Sequence, residues 1–203
     1  MIKTNRYKEL DALRGIAAMM VVCFHYTLSS NQFFFYAGTT GVDLFFMISG
    51  FVIFMSLNKI NSSVEFVINR FCRLYPTYWA SVTFTFLLAI VYAAFNKNAS
   101  YIPIKLSDYI GNMTMFQFYL RIPDIDGPYW TMIIEMLFYI VMLIIYKRKL
   151  LASVNIIGLT LSAFTVILTF LAGDTVAVIR IMWWFPLLQF APLFFAGTKQ
   201  PAE

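Results

Sequence analysis

"LDALRGIAAMMVVCFHYT", residues 10–27, is a long apolar run with Arg14 near one end and His25 near the other. Charge is expensive in a bilayer interior, so an ionisable group inside a span tends to face a cavity and marks function by default. The two residues are eleven positions apart. That is close to three whole turns, so both side chains project from nearly one face, roughly 16 Å apart along the axis. A matched pair on one face points to a shared cavity.

The rest of the chain agrees with a membrane reading. It is 61% hydrophobic and 12% charged, with a mean hydropathy of +0.74. Soluble domains carry about 25% charged residues, so this is an integral membrane protein of the all-α class, a polytopic helical bundle. The net charge of +5 is no nucleic-acid signal, because Lys and Arg gather in the cytoplasmic loops of membrane proteins. Cys23 and Cys72 have no paired spacing and read as packing residues. The basic N-terminal lead resembles a signal peptide but lacks a small-residue cleavage site, so an uncleaved first span is expected.

Six segments are long and apolar enough to span, near 10–29, 41–58, 75–95, 128–146, 150–171 and 177–197. A core of about 30 Å takes about 20 helical residues. The shorter "IGNMTMFQFYL", 110–120, reads as a re-entrant or interfacial piece, and Pro76 as the residue that fixes the start of span three. With the N-terminus inside, eleven basic residues fall on the inner side: Lys3, Arg6, Lys8, Arg14, Lys59, Arg70, Arg73, Lys147, Arg148, Lys149 and Lys199. Four fall outside: Lys97, Lys105, Arg121 and Arg180. That asymmetry predicts a cytoplasmic N-terminus.

This orientation sorts the polar residues into two layers. Arg14, Arg70 and Arg73 lie at the inner side, where guanidinium groups suit phosphate oxygens, although Arg70 and Arg73 also serve as topology anchors. His25, Asp43 and Glu135 fall in the outer half, where a histidine oriented by a carboxylate suits a general base, and a buried polar network is the alternative. Trp130 and Tyr129, near Glu135, offer faces on which a sugar ring can stack. His25 is the single histidine, so it has no imidazole partner for zinc and no metal site is expected. Gly41, and Gly50 after Ser49, suit close helix approach.

Four stretches, in order, resemble the acyltransferase-3 family of integral membrane acyltransferases: "LDALRGIAAMMVVCFHYT", "GVDLFFMISGFVI", "NRFCRLYPTYW" and "GPYWTMIIEMLFY". They cover residues 10–139, and residues 150–203 match as generic apolar spans. The resemblance implies one transmembrane acyltransferase domain over residues 1–203. It implies transfer of an acyl group, often acetyl, from cytoplasmic acyl-CoA to a hydroxyl of an extracytoplasmic glycan. Acyl-CoA is then the donor substrate, with no bound cofactor, and the partners are the lipid bilayer and a carbohydrate acceptor. Arg14 and His25 match the family's hallmark pair, with His25 the implied catalytic residue; Arg70 and Arg73 match the arginines of the donor side, and Asp43, Trp130 and Glu135 match recurrent positions. A bacterial inner (plasma) membrane is the expected location. Family members have about ten spans, so a chain of six is expected to be incomplete at its C-terminus. Competing readings are a proton- or anion-coupled transporter and an inactive remnant.

Overall fold

The computed structural model describes residues 8–28, 35–95, 104–172 and 175–198. Its elements are helices, with no strand among the described residues: α1 (Lys8–Thr27), α2 (Thr40–Leu57), α3 (Ser63–Phe95), α4 (Leu106–Asn112), α5 (Trp130–Lys147), α6 (Val154–Ala172), α7 (Val176–Trp184) and α8 (Leu187–Gly197). Short 3-10 turns precede α2, α5 and α6. Among the described residues, four stretches are long and apolar enough to cross a membrane: Tyr36–Leu57, Ser63–Phe95, Gly127–Lys147 and Leu151–Phe170.

Two of the six expected spans lie outside this set. The first, α1, has 20 residues, but its charged first half keeps it out of the apolar set. The sixth is broken, because α7 stops at Trp184 and Pro186 precedes α8. Proline has no N–H to continue a helix, so the segment splits into pieces of 9 and 11 residues.

The start of span three also moves. Pro76 lies inside α3; the helix begins twelve residues before Tyr75, because Ser62 and Glu65 cap it. The Glu65 N–H donates to Ser62 Oγ at 3.1 Å and the Asn61 N–H to Glu65 Oε2 at 3.1 Å. This is a capping-box arrangement, Ser-x-x-Glu, which satisfies donors left over at a helix start. Just past the C-terminal end of α5, Lys149 takes a left-handed φ of 58°. Leu150 N then reaches Ile145 O at 2.9 Å, closing the helix.

The chain divides into two compact units, Met1–Lys59 with Phe138–Glu203, and Ile60–Leu137. In the first, glycines let backbones meet. A side chain at Gly50 would strike the Phe194 carbonyl, and one at Gly197 the Met47 carbonyl, so α2 and α8 cross at backbone distance. Around this crossing Phe46, Phe138 and Phe194 are buried, with the Phe138 and Phe194 rings stacked at 4.1 Å. Pro192, inside α8, denies Leu188 O its helical donor. Thr165 of α6 has its hydroxyl 3.2 Å from that carbonyl and 2.9 Å from Leu161 O, so its single proton is within reach of both acceptors.

In the second unit, α4 and the loop after it run along α3. Tyr109 meets Thr83 and Phe86, Trp79 Nε1 donates to Met113 O at 2.9 Å, and Tyr75 OH donates to Thr114 O at 3.1 Å. The chain then returns, so that Tyr129 lies beside Tyr78 and Thr85.

Candidate functional site

Arg14 and His25 share α1, which runs unbroken from Lys8 to Thr27. That continuity is what puts the two residues on one face. Arg14 is half-buried and His25 is exposed, its ring edge-on to Phe24 at 5.5 Å. Between them lies a glycine notch. An added methyl at Gly41 would sit 2.7 Å from Ala17 O and 3.1 Å from Met20 Cβ, and one at Gly38 would strike Met20 O. Only α-carbons without a Cβ let the start of α2 sit this close to the α1 backbone.

The notch fixes register. Gly38 meets residues 20 and 24 while Gly41 meets 17 to 21, so α2 runs antiparallel to α1. Asp43, half-buried in the first turn of α2, follows two residues later. Along the axis it is therefore level with the middle of α1, between Arg14 and His25, while two helical residues, about 200°, turn it away from the face that Gly41 presents to α1. Among the described residues no hydrogen bond or ion pair joins His25 to Asp43. A carboxylate at a helix N-terminus is favoured by the dipole, and that accounts for its place in the turn.

The remaining sequence candidates lie in the second unit. Arg70 is 8% exposed, with its guanidinium carbon 5.4 Å from the centre of the Phe66 ring. The contact is a cation–π arrangement on one helix, at i and i+4. Arg73 is exposed. Glu135 is half-buried on α5, and Trp130 is 40% exposed at its first residue. Tyr129 is buried, with its hydroxyl 3.3 Å from Thr85 Oγ1. Lys3, Arg6, Lys97 and Lys199, which contribute to the basic asymmetry, lie outside the described residues.

Sequence reasoning passed over a second group of polar residues. Asn112 is fully buried; its amide donates to Asp108 O at 2.8 Å and Pro123 O at 2.9 Å, and its carbonyl accepts from Ile125 N at 3.2 Å. Gln117, 1% exposed, donates to Asp124 Oδ1 at 2.7 Å and accepts from Tyr78 OH at 3.4 Å. These bonds hold loop 113–126 in a form that needs left-handed backbone at Met115 (φ 64°) and Arg121 (φ 56°). The signal was present: an asparagine and a glutamine in an otherwise apolar stretch must find partners when buried.

A family model described as an acyltransferase domain matches residues 7–198. The chain belongs to the acyltransferase-3 family. Its matched region takes in all four motifs and the apolar C-terminal half. "Putative acetyltransferase ORF330" of Acidianus two-tailed virus is 27% identical over 175 residues, covering 80% of this chain and 48% of that protein. The chain thus spans about half the length of the curated relative it matches. No solved structure matches it.

Proposed function

We propose that this acyltransferase-3 chain moves an acyl group, in the first instance acetyl, from cytoplasmic acyl-CoA to a hydroxyl of a cell-surface or extracytoplasmic glycan. The observation that carries the reading is the placement of Arg14 and His25 on one face of an uninterrupted helix, in a chain of this family. An arginine level suited to phosphate and a histidine level suited to base catalysis, roughly 16 Å apart, match a donor whose phosphates and thioester are joined by a long flexible arm. His25 takes the proton of the acceptor hydroxyl as its oxygen attacks the thioester carbonyl. The new C–O bond forms, the C–S bond breaks, and the proton passes to the departing thiolate. Arg14, Arg70 and Arg73 bind the donor phosphates. Trp130 and Tyr129 serve the acceptor, and Glu135 or Asp43 supports the imidazolium. The reading places the N-terminus and the arginines on the cytoplasmic side.

The test is acyl-CoA binding and transfer of labelled acetyl to membrane glycans, in nanodiscs. Losing one charge-assisted contact costs about 1.5–3 kcal/mol, or roughly 10- to 150-fold in affinity. Arg73→Ala should therefore weaken donor binding by that factor, with Arg73→Lys recovering part of it because ammonium lacks the planar fork. His25→Ala should leave donor binding nearly intact and lower turnover about 10²- to 10⁴-fold. If His25→Ala abolishes donor binding while Arg73→Ala spares it, the layered assignment is wrong.

A further inference from the structure

The C-terminal end of α5 closes on a lysine. The Leu150 N–H donates to Ile145 O at 2.9 Å and the Lys149 N–H to Tyr146 O at 2.9 Å. These two bonds form a Schellman closure, and Lys149 is the residue that turns left-handed in it, with φ 58°. Glycine is the usual residue at that position, because a Cβ in this conformation crowds the following carbonyl. Helix closure does not explain the lysine, since closure uses only the backbone. Topology anchoring does not explain it either, because Lys147 and Arg148 already supply charge at the end of α5. What remains is the side chain itself, kept in place against backbone strain.

Lys147, Arg148 and Lys149 are adjacent and exposed. Among the described residues none of them has an ion-pair partner, and no Asp or Glu occurs from Met136 to Gly173. Like charges this close repel one another, and an opposing anion relieves the repulsion. The backbone is tied down on both sides of Lys149: the Arg148 N–H donates to Ile144 O at 3.0 Å and the Ser153 N–H to Leu150 O at 3.0 Å. The turn joins two stretches long and apolar enough to span, Gly127–Lys147 and Leu151–Phe170, which puts it at the depth of the headgroups. Leu150, 45% exposed, sets an apolar chain beside the cations. A dissolved phosphate gains nothing from that leucine, whereas a phospholipid presents phosphate and acyl chain together. We propose that the turn Lys147–Leu150 is a binding site for anionic phospholipid, with Lys149 fixed by its left-handed backbone and Arg148 offering a planar fork to the phosphate oxygens. Lipid binding here is independent of acyl transfer.

The test uses the full chain in phosphatidylcholine nanodiscs, in a Cys23→Ala, Cys72→Ala background. A fluorophore on Ala152→Cys, an exposed position beside the turn, is quenched by nitroxide-labelled lipid. Labelled phosphatidylglycerol should associate at least about 10-fold more strongly than phosphatidylcholine carrying the same nitroxide. Lys149→Gly should lower that preference about 5-fold, the share of one basic residue at an anionic surface. Its thermal unfolding should stay unmoved or rise, because glycine relieves the strain. Arg148→Gln should lower the preference by a similar factor, and Lys149→Arg should keep it. Equal quenching by the two lipids, or a preference untouched by Lys149→Gly, would overturn the site. So would a lower unfolding midpoint in Lys149→Gly, which would show that the lysine serves the negative end of the α5 dipole. Millimolar coenzyme A separates a lipid from a soluble phosphate. The preference should survive it; displacement of phosphatidylglycerol by coenzyme A would assign the turn to the acyl donor and sink the lipid site.

Discussion

A methyl group added at Gly50 would run into the Phe194 carbonyl, whereas one added at Gly15 meets nothing within 4 Å. Two glycines in apolar helices thus predict opposite outcomes. Gly50→Ala should destabilise the first unit by about 1–3 kcal/mol, the usual cost of overpacking. Gly15→Ala should be neutral or stabilising by up to about 1 kcal/mol, since alanine is the better helix former. Denaturant unfolding in mixed micelles separates the two. Thr165 makes a sharper case. Thr165→Val takes the hydroxyl away from the carbonyl that Pro192 leaves without its helical donor, and should cost about 1–3 kcal/mol. In a Pro192→Ala background the backbone N–H restored at that position can reach Leu188 O, so the same change should cost less. That coupling is measurable in a double-mutant cycle. Gly41 and Gly50 were legible as packing residues because glycine leaves few other readings in a span. Their partners were not legible, since nothing in "LLQFAPLFFAG" announces which carbonyl lies against which α-carbon.

Elements were legible where one rule dominated. Continuous apolar runs locate α2, α5 and α6 within a few residues. Proline is a poorer guide. Pro76 reads as a start but lies within a helix of 33 residues, about 50 Å long, while Pro186, inside an expected span, breaks the last segment. The capping signal Ser62–Glu65 outweighs the proline in setting the start of α3, because it satisfies donors that would otherwise be left over, and tertiary contacts support the proline turn. In the polar core of loop 113–126, Asn112 and Gln117 were legible as groups that need partners, but which neighbours they reach, from Asp108 to the distant Tyr78, was not. Asn112 makes the test. Asn112→Ala deletes the bonds to Asp108 O, Pro123 O and Ile125 N. At about 0.5–1.5 kcal/mol net per bond it should loosen the loop by roughly 1.5–4.5 kcal/mol. Hydrogen exchange should rise across 113–126 and stay unchanged in α6, where no Asn112 contact reaches. Uniform acceleration over both would show instead that the residue supports the whole fold.

At the scale of the molecule, the two-layer mechanism depends on which way the chain faces. The excess of eleven basic residues over four is the ground for proposing that the N-terminus, the turn at Lys59 and Lys147–Lys149 face the cytoplasm. The proposed orientation requires the Lys105 end of α4 to lie outside. Thiol labelling can decide it once the native thiols are removed, since Cys23 and Cys72 are both exposed and would react themselves. In a Cys23→Ala, Cys72→Ala background, a membrane-impermeant maleimide added to intact cells should label Lys105→Cys and miss Arg148→Cys. Both parent positions are exposed on the protein, so a missing signal at 148 reports the membrane and not burial. Permeabilising the cells should then bring Arg148→Cys up to the level of Lys105→Cys. The reverse pattern would put the arginines on the outer side, out of reach of cytoplasmic acyl-CoA. His25 could then no longer serve an outward-facing acceptor, and the two-layer mechanism would have to be abandoned even with the family assignment intact.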